Sequence, residues 1–168
     1  MGADEYERRG FAVKANNGTG NIADRDEWET DQELWETLHD QYGFSFDCCA
    51  NKNNAKTPLY SNDFLAENGG ILTGWMNPPF SKALSMFEHF FKIVVEGVAI
   101  YRCDNMETNV WQDVIFKNAD WVFIPKGRIK YNGLDGKRSR FPSALIGFGV
   151  PPPKNMTGVT MVIKEASR

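Results

Sequence analysis

The sequence predicts an α/β fold: a single domain in which a mostly parallel sheet carries helices on both faces. Three observations predict it. Short apolar runs of strand length, at 71–76, 98–101, 121–124 and 144–148, alternate with stretches whose apolar residues recur at helical spacing. Strands separated by helices pair in parallel, because a crossover needs that length of chain. The 168 residues, 42% hydrophobic and 13% aromatic, suffice for one buried core and show no internal repeat.

Taken in order, residues 1–24 mix charge, Gly and Asn without periodicity, which predicts a flexible N-terminal segment ahead of a domain over 25–168. Thr30 before Asp31-Gln32-Glu33 reads as a capping box, with Thr30 as N-cap and Glu33 as its reciprocal partner. Leu34, Trp35, Leu38 and Tyr42 continue at helical spacing, and Gly43 is the stop. Residues 44–48 read as a buried strand that opens into a loop at Asp47, and Asp63-Phe64-Leu65 as a short apolar element. The strand at 71–76 runs into Asn77-Pro78-Pro79-Phe80. Leu84, Phe87, Phe90, Phe91, Val94 and Val95 then predict a helix over 81–96, ended by Gly97.

A buried strand follows at 98–101, then a helix capped by Thr108 or Asn109 with Trp111, Val114 and Ile115 inward. The strand at 121–124 is stopped by Pro125, and Arg128-Ile129-Lys130-Tyr131 alternates as an exposed strand does. A basic, glycine-containing loop over 132–140 precedes the strand at 144–148. Pro151-Pro152-Pro153 ends the compact part, and 159–163 adds an edge strand.

Composition excludes several classes. No run of about 18 apolar residues exists, so no membrane span is expected. The charged N-terminus lacks the apolar core of a secretory signal. Three cysteines, Cys48, Cys49 and Cys103, have neither CxxC nor Cys/His spacing, so no metal site and no disulfide framework are expected, only reduced thiols in a cytoplasmic protein. The net charge of −3 does not announce a nucleic-acid binder. Residues 126–140, however, gather Lys126, Arg128, Lys130, Lys137, Arg138 and Arg140 against Asp135 alone. Such a patch can hold phosphates on an acidic chain, because charges are screened beyond about 8 Å at physiological salt.

The stretch that carries chemistry is Asn77-Pro78-Pro79-Phe80. Two prolines fix two φ angles and remove two N–H donors, so neither helix nor strand can continue through it. The exocyclic amine of adenine is a poor nucleophile while its lone pair is delocalised into the ring. Two acceptors aimed at its two N–H groups favour the tetrahedral form and stabilise the charge that develops there. The Asn77 side-chain oxygen and the Pro78 carbonyl can be those acceptors, with Pro79 holding the geometry. Phe80 offers an apolar face to a base drawn out of its stack. No cysteine follows a proline near the motif, as cytosine C5 chemistry would require. The plain alternative is a stiff turn with Phe80 as a core anchor.

Four motifs in one order resemble the small phage-type DNA N6-adenine methyltransferases, the phage Dam family. They are Trp28-Glu29-Thr30, Phe44-Ser45-Phe46-Asp47-Cys48-Cys49-Ala50, Asn77-Pro78-Pro79-Phe80-Ser81, and Gly127-Arg128-Ile129-Lys130-Tyr131, the last followed by Phe141-Pro142-Ser143. The resemblance covers roughly residues 26–149. It implies a Rossmann-like methyltransferase fold, S-adenosylmethionine as donor, DNA as partner, and the cytoplasm of a bacterial host as the place of action. Trp28 and Thr30 would then lie at the donor's amino-acid end, Asp47 at its amino group or ribose, and Asp63 at its adenine. Cys48 and Ala50 would stand where most methyltransferases have a glycine-rich turn. Arg128 or Tyr131 would sit beside the flipped base, with Lys130, Lys137, Arg138 and Arg140 on phosphates.

Plainer roles stand beside these: a helix cap for Thr30, a loop cap for Asp47, a surface carboxylate for Asp63, an edge strand for 127–131. Phe80 departs from the commoner Tyr, and no separate target-recognition domain has room. The sequence leaves open the target sequence and the oligomeric state, a homo-oligomer included. Two other functions fit the same motif: a protein glutamine or RNA amine methyltransferase, and a catalytically silent nucleic-acid-binding module.

Overall fold

The computed structural model describes residues 29–132 and 141–164. Residues 1–24, Trp28, Lys137, Arg138 and Arg140, to which the sequence assigned roles, lie outside the described residues. The elements run β1 (Glu29–Thr30), α1 (Gln32–Tyr42), β2 (Phe46–Asp47), β3 (Ile71–Met76), α2 (Ala83–Ile93) and β4 (Val94–Arg102). A π-helical stretch (Val110–Ile115) passes into α3 (Phe116–Asn118), followed by β5 (Trp121–Pro125), β6 (Tyr131–Asn132), β7 (Ser143–Phe148) and β8 (Gly158–Val162). Single 3₁₀ turns occupy Phe64–Ala66 and Phe80–Lys82.

Six strands form one mixed sheet in the order β2-β3-β4-β7-β5-β8, and β1 pairs with β6 in a separate ribbon. The expectation of a mostly parallel sheet is corrected here. Only β2–β3 and β3–β4 pair in parallel, whereas β4–β7, β7–β5 and β5–β8 are antiparallel. The reason is in the connections. Among the described residues no helix lies between β5 and β7 or between β7 and β8, so the chain returns without a crossover and inserts β7 in reverse.

The core divides along the strands by the two-residue pleat. Val98 and Ile100 of β4, with Trp75, Leu145 and Phe123, join Trp35 and Leu38 of α1 in one cluster. Ala99 and Tyr101, with Met76, Ile146 and Val122, join Phe87 and Phe90 of α2 and Trp111 of the π-helical stretch in the other.

Three local expectations are corrected as well. Asp31, not Thr30, is the N-cap of α1, its carboxylate accepting from the Leu34 N–H at 3.4 Å. Gly43 does end the helix, in the left-handed region at φ 65°. Val94 and Val95 leave α2 and begin β4, because β-branched residues fit the pleated backbone better than a helix end. Gly97 is therefore no helix stop. It faces Gly74 on β3, where a Cβ would lie 2.5 Å from the Gly74 carbonyl oxygen and 3.0 Å from the Phe90 ring. Close seating of α2 on the sheet explains that glycine. Finally, 128–131 does alternate, with Ile129 and Tyr131 buried and Arg128 and Lys130 exposed, but the strand is confined to Tyr131–Asn132.

Candidate active site

Because β2, β3 and β4 run in parallel, Asp47, Asn77 and Arg102 come to one edge of the sheet, at or just beyond the carboxyl ends of those strands. Open α/β sheets bind ligands at that edge. Asn77 follows the last residue of β3 directly. Its Nδ2 donates to the Thr30 Oγ1 at 3.2 Å, which sets the plane of the amide. Pro78 is buried, and the Pro79 carbonyl is taken up by the Lys82 N–H at 3.0 Å in the turn that opens α2. No backbone bond takes up the Pro78 carbonyl among the described residues. The motif is thus clamped at both ends, by Thr30 and by the 3₁₀ turn.

Beside Asn77 lies a cleft of about 230 Å³ whose lining includes Cys48, Ala50, Asp63, Asn77, Pro79 and Met86. Cys49, Asn51, Asn54 and Lys82 also line it, and none of these four was singled out as a lining residue by the sequence. The small side chains of Cys48 and Ala50 leave the room that glycine would otherwise give. Asp63 is exposed at the rim, ahead of the Phe64 turn. Burial pushes the Cys48 and Cys49 thiols up, so both are neutral and unreactive wall atoms.

Asp47 does not line that cleft. Its buried carboxylate accepts from the Lys56 N–H at 3.0 Å and the Cys49 N–H at 3.3 Å, and so ties down the loop that does. Burial raises its pKa to about 6, with the two backbone donors and the Lys56 charge acting in opposition.

Three residues beyond Asn77, the half-buried Phe80 ring meets Tyr101 and Phe141 edge to face, at 5.9 and 5.3 Å. Arg102 lies over Phe141 at 4.8 Å and binds Asp104 through two bonds of 2.7 Å. That pairing raises the Arg102 pKa and lowers that of Asp104. Tyr131, read from the sequence as a neighbour of the base, is buried with its hydroxyl on the Ser143 Oγ at 2.9 Å. Arg128 and Lys130 flank it in solvent. Arg102 received no role from the sequence, although standing at the end of a predicted strand was a signal that could have found it.

The cleft suits a nucleoside-type donor: an apolar floor from Phe64 and Met86, a carboxylate at the rim, and an opening onto Asn77. Among the described residues, no group of three His, Cys, Asp or Glu could hold a metal ion, and no helix is long and apolar enough to cross a membrane. No curated protein matches the chain. A family model described as DNA N-6-adenine-methyltransferase (Dam) matches residues 18–144.

Proposed function

The chain belongs to the DNA N-6-adenine-methyltransferase (Dam) family and is a DNA adenine N6-methyltransferase, and from that premise we propose how its residues divide the work. The carrying observation is the Asn77-Pro78-Pro79-Phe80 stretch itself: Asn77 and Pro79 line the cleft, while Phe80, three residues on, packs against Tyr101 and Phe141. The donor is S-adenosylmethionine, and when bound it supplies an electrophilic methyl group. Ala50, Cys48, Asp63 and Met86 would hold it, with Asp63 accepting from its polar groups. Asp47 acts one step back, by fixing the 48–56 loop.

The target adenine, flipped from the duplex, stacks against Phe80. Its two amine N–H groups donate to the Asn77 Oδ1 and the Pro78 carbonyl, which turns the nitrogen lone pair towards the methyl. Asn77 and Pro78 would hold the amine towards the methyl group that the donor supplies, the donor being left as a neutral thioether and the amine's extra proton passing to solvent. Arg128 and Lys130 contact phosphates, since both are exposed beside the ribbon. The domain is Rossmann-like with a helix on each face, consistent with the two core clusters. It acts in the cytoplasm of a bacterial host, encoded by a phage or prophage.

The test is transfer from methyl-labelled donor to DNA, RNA or protein, with the product digested. Label on N6-methyladenine from DNA is expected. Label confined to RNA or to glutamine, or no calorimetric binding of donor, would overturn the assignment of these residues.

A further inference from the structure

We propose that Thr30 is a positioning residue for Asn77, and that the β1–β6 ribbon serves to deliver its hydroxyl. This rests on the reading of Asn77 as an acceptor for the target amine. The competing role, contact with the donor, fits poorly. Thr30 is 2% exposed and is absent from the lining of the cleft, whereas Asn77 is part of that lining.

The geometry supplies the alternative. The Thr30 Oγ1 accepts from the Asn77 Nδ2 at 3.2 Å. Thr30 is held in turn by antiparallel pairing with Tyr131, whose hydroxyl is bonded to Ser143 on β7 at 2.9 Å. The sheet therefore fixes Tyr131, Tyr131 fixes Thr30, and Thr30 fixes the amide. Two sequence motifs about 100 residues apart meet through their last residues, Thr30 of the first pairing with Tyr131 of the second.

Such an arrangement matters because an amide presents an acceptor at one end and donors at the other. With its Nδ2 bonded to Thr30, the Asn77 amide satisfies both ends when the target amine donates to Oδ1. The two bonds polarise one another through the amide and strengthen Oδ1 as an acceptor. Valine would keep the shape of Thr30 and remove the acceptor. The amide would then lose the bond by which Thr30 sets its plane, and small misplacements at a reacting centre cost up to about 10²-fold in rate.

The experiment compares the full-length wild type with Thr30→Val and Thr30→Ser. Single-turnover transfer to DNA is measured at saturating donor and DNA, together with donor affinity by calorimetry and the hydrogen exchange of the Asn77 side-chain amide by NMR. Expected for Thr30→Val is a rate loss of about 10- to 100-fold, donor affinity within about twofold of wild type, and faster exchange of the Asn77 amide. Thr30→Ser restores the rate and the protection. An unchanged rate in Thr30→Val, a loss confined to donor affinity, or a serine variant no better than valine would each overturn the proposal. Should the wild type methylate no adenine, the functional reading fails by itself. The amide exchange then still decides whether Thr30 holds Asn77, and equal exchange in all three proteins would refute it.

Discussion

Two walls meet at the Asn77-Pro78-Pro79-Phe80 stretch, and they are held by opposite means. On the cleft side the brace is a buried carboxylate: Asp47 accepts from the backbone of Cys49 and Lys56 and pins the loop that shapes the pocket. On the other side the brace is neutral, running from Ser143 through Tyr131 and Thr30 to the Asn77 amide. The first wall contains a group that titrates at about pH 6, while the second keeps one state across the physiological range. The difference follows from what each wall must do. The pocket wall needs only a fixed loop, and a charge with two backbone donors fixes one well. On the role proposed for Asn77, the second wall presents acceptors of constant strength to a nitrogen that becomes positive in the transition state.

The sharpest way to break this comparison is Asn77→Ala. Loss of one of two aligned acceptors is expected to lower single-turnover transfer by about 10²–10³-fold, by analogy with removal of one oxyanion-hole donor. Donor affinity, measured by calorimetry, should change little. If affinity falls in step with rate, Asn77 belongs to the donor's wall and the division is wrong.

Next in size is the titration of Asp47. Its folded pKa of about 6 lies above the value of 3.8 for a free carboxyl. Between those values the folded state binds more protons than the unfolded one, so stability falls as pH rises through about 4–6 and is flat above. Keeping that carboxylate ionised inside the protein costs on the order of 3 kcal/mol relative to the unfolded chain. Urea unfolding from pH 4.5 to 7.5 should show this slope in the wild type, and Asp47→Asn should remove that part of it. Parallel curves for the two proteins would show that the charge is not what the cleft wall feels.

Phe80→Ala tests the aromatic side, where stacking of a base is worth about 1–3 kcal/mol. A loss of roughly 5- to 100-fold in affinity for DNA is expected, with Phe80→Tyr retaining it. Because Phe80 also touches Tyr101 and Phe141, thermal melting of each variant separates lost stacking from lost packing. An alanine variant that melts like wild type and binds DNA as tightly would remove Phe80 from the target's path.

How far the sequence revealed these walls depended on the range of the interactions. β3, the Gly43 stop and the inward faces of Trp111, Val114 and Ile115 were readable, because each rests on residues within a turn or two. The Asn-Pro-Pro-Phe stretch was readable too, since proline acts on its own backbone. The role of Thr30 was not. A Thr ahead of Asp and Glu satisfies the local rule for a cap, and only its pairing with Tyr131, about 100 residues away, takes it out of the helix. Gly97 misled for the same reason: as a helix stop it looked sufficient, while its cause is Gly74 on the neighbouring strand and Phe90 above it. The antiparallel insertion of β7 follows from connections that hold no crossover helix among the described residues, which hydrophobic periodicity does not record.

Tyr131 gives the smallest effect and decides the most about the second wall. Its phenol is buried, and burial pushes its pKa up despite the bond to Ser143, so it is neutral and acts through that hydrogen bond. Tyr131→Phe removes the bond and leaves the ring in place against Phe141. The expected cost is about 1 kcal/mol of unfolding free energy, with DNA affinity unchanged and a modest fall in transfer rate as the ribbon loosens. Were Tyr131 a contact of the flipped base, the order would invert: stability would hold and affinity for DNA would drop. Chemical denaturation and a DNA competition assay on the one variant therefore tell a brace from a recognition residue, and the buried hydroxyl favours the brace.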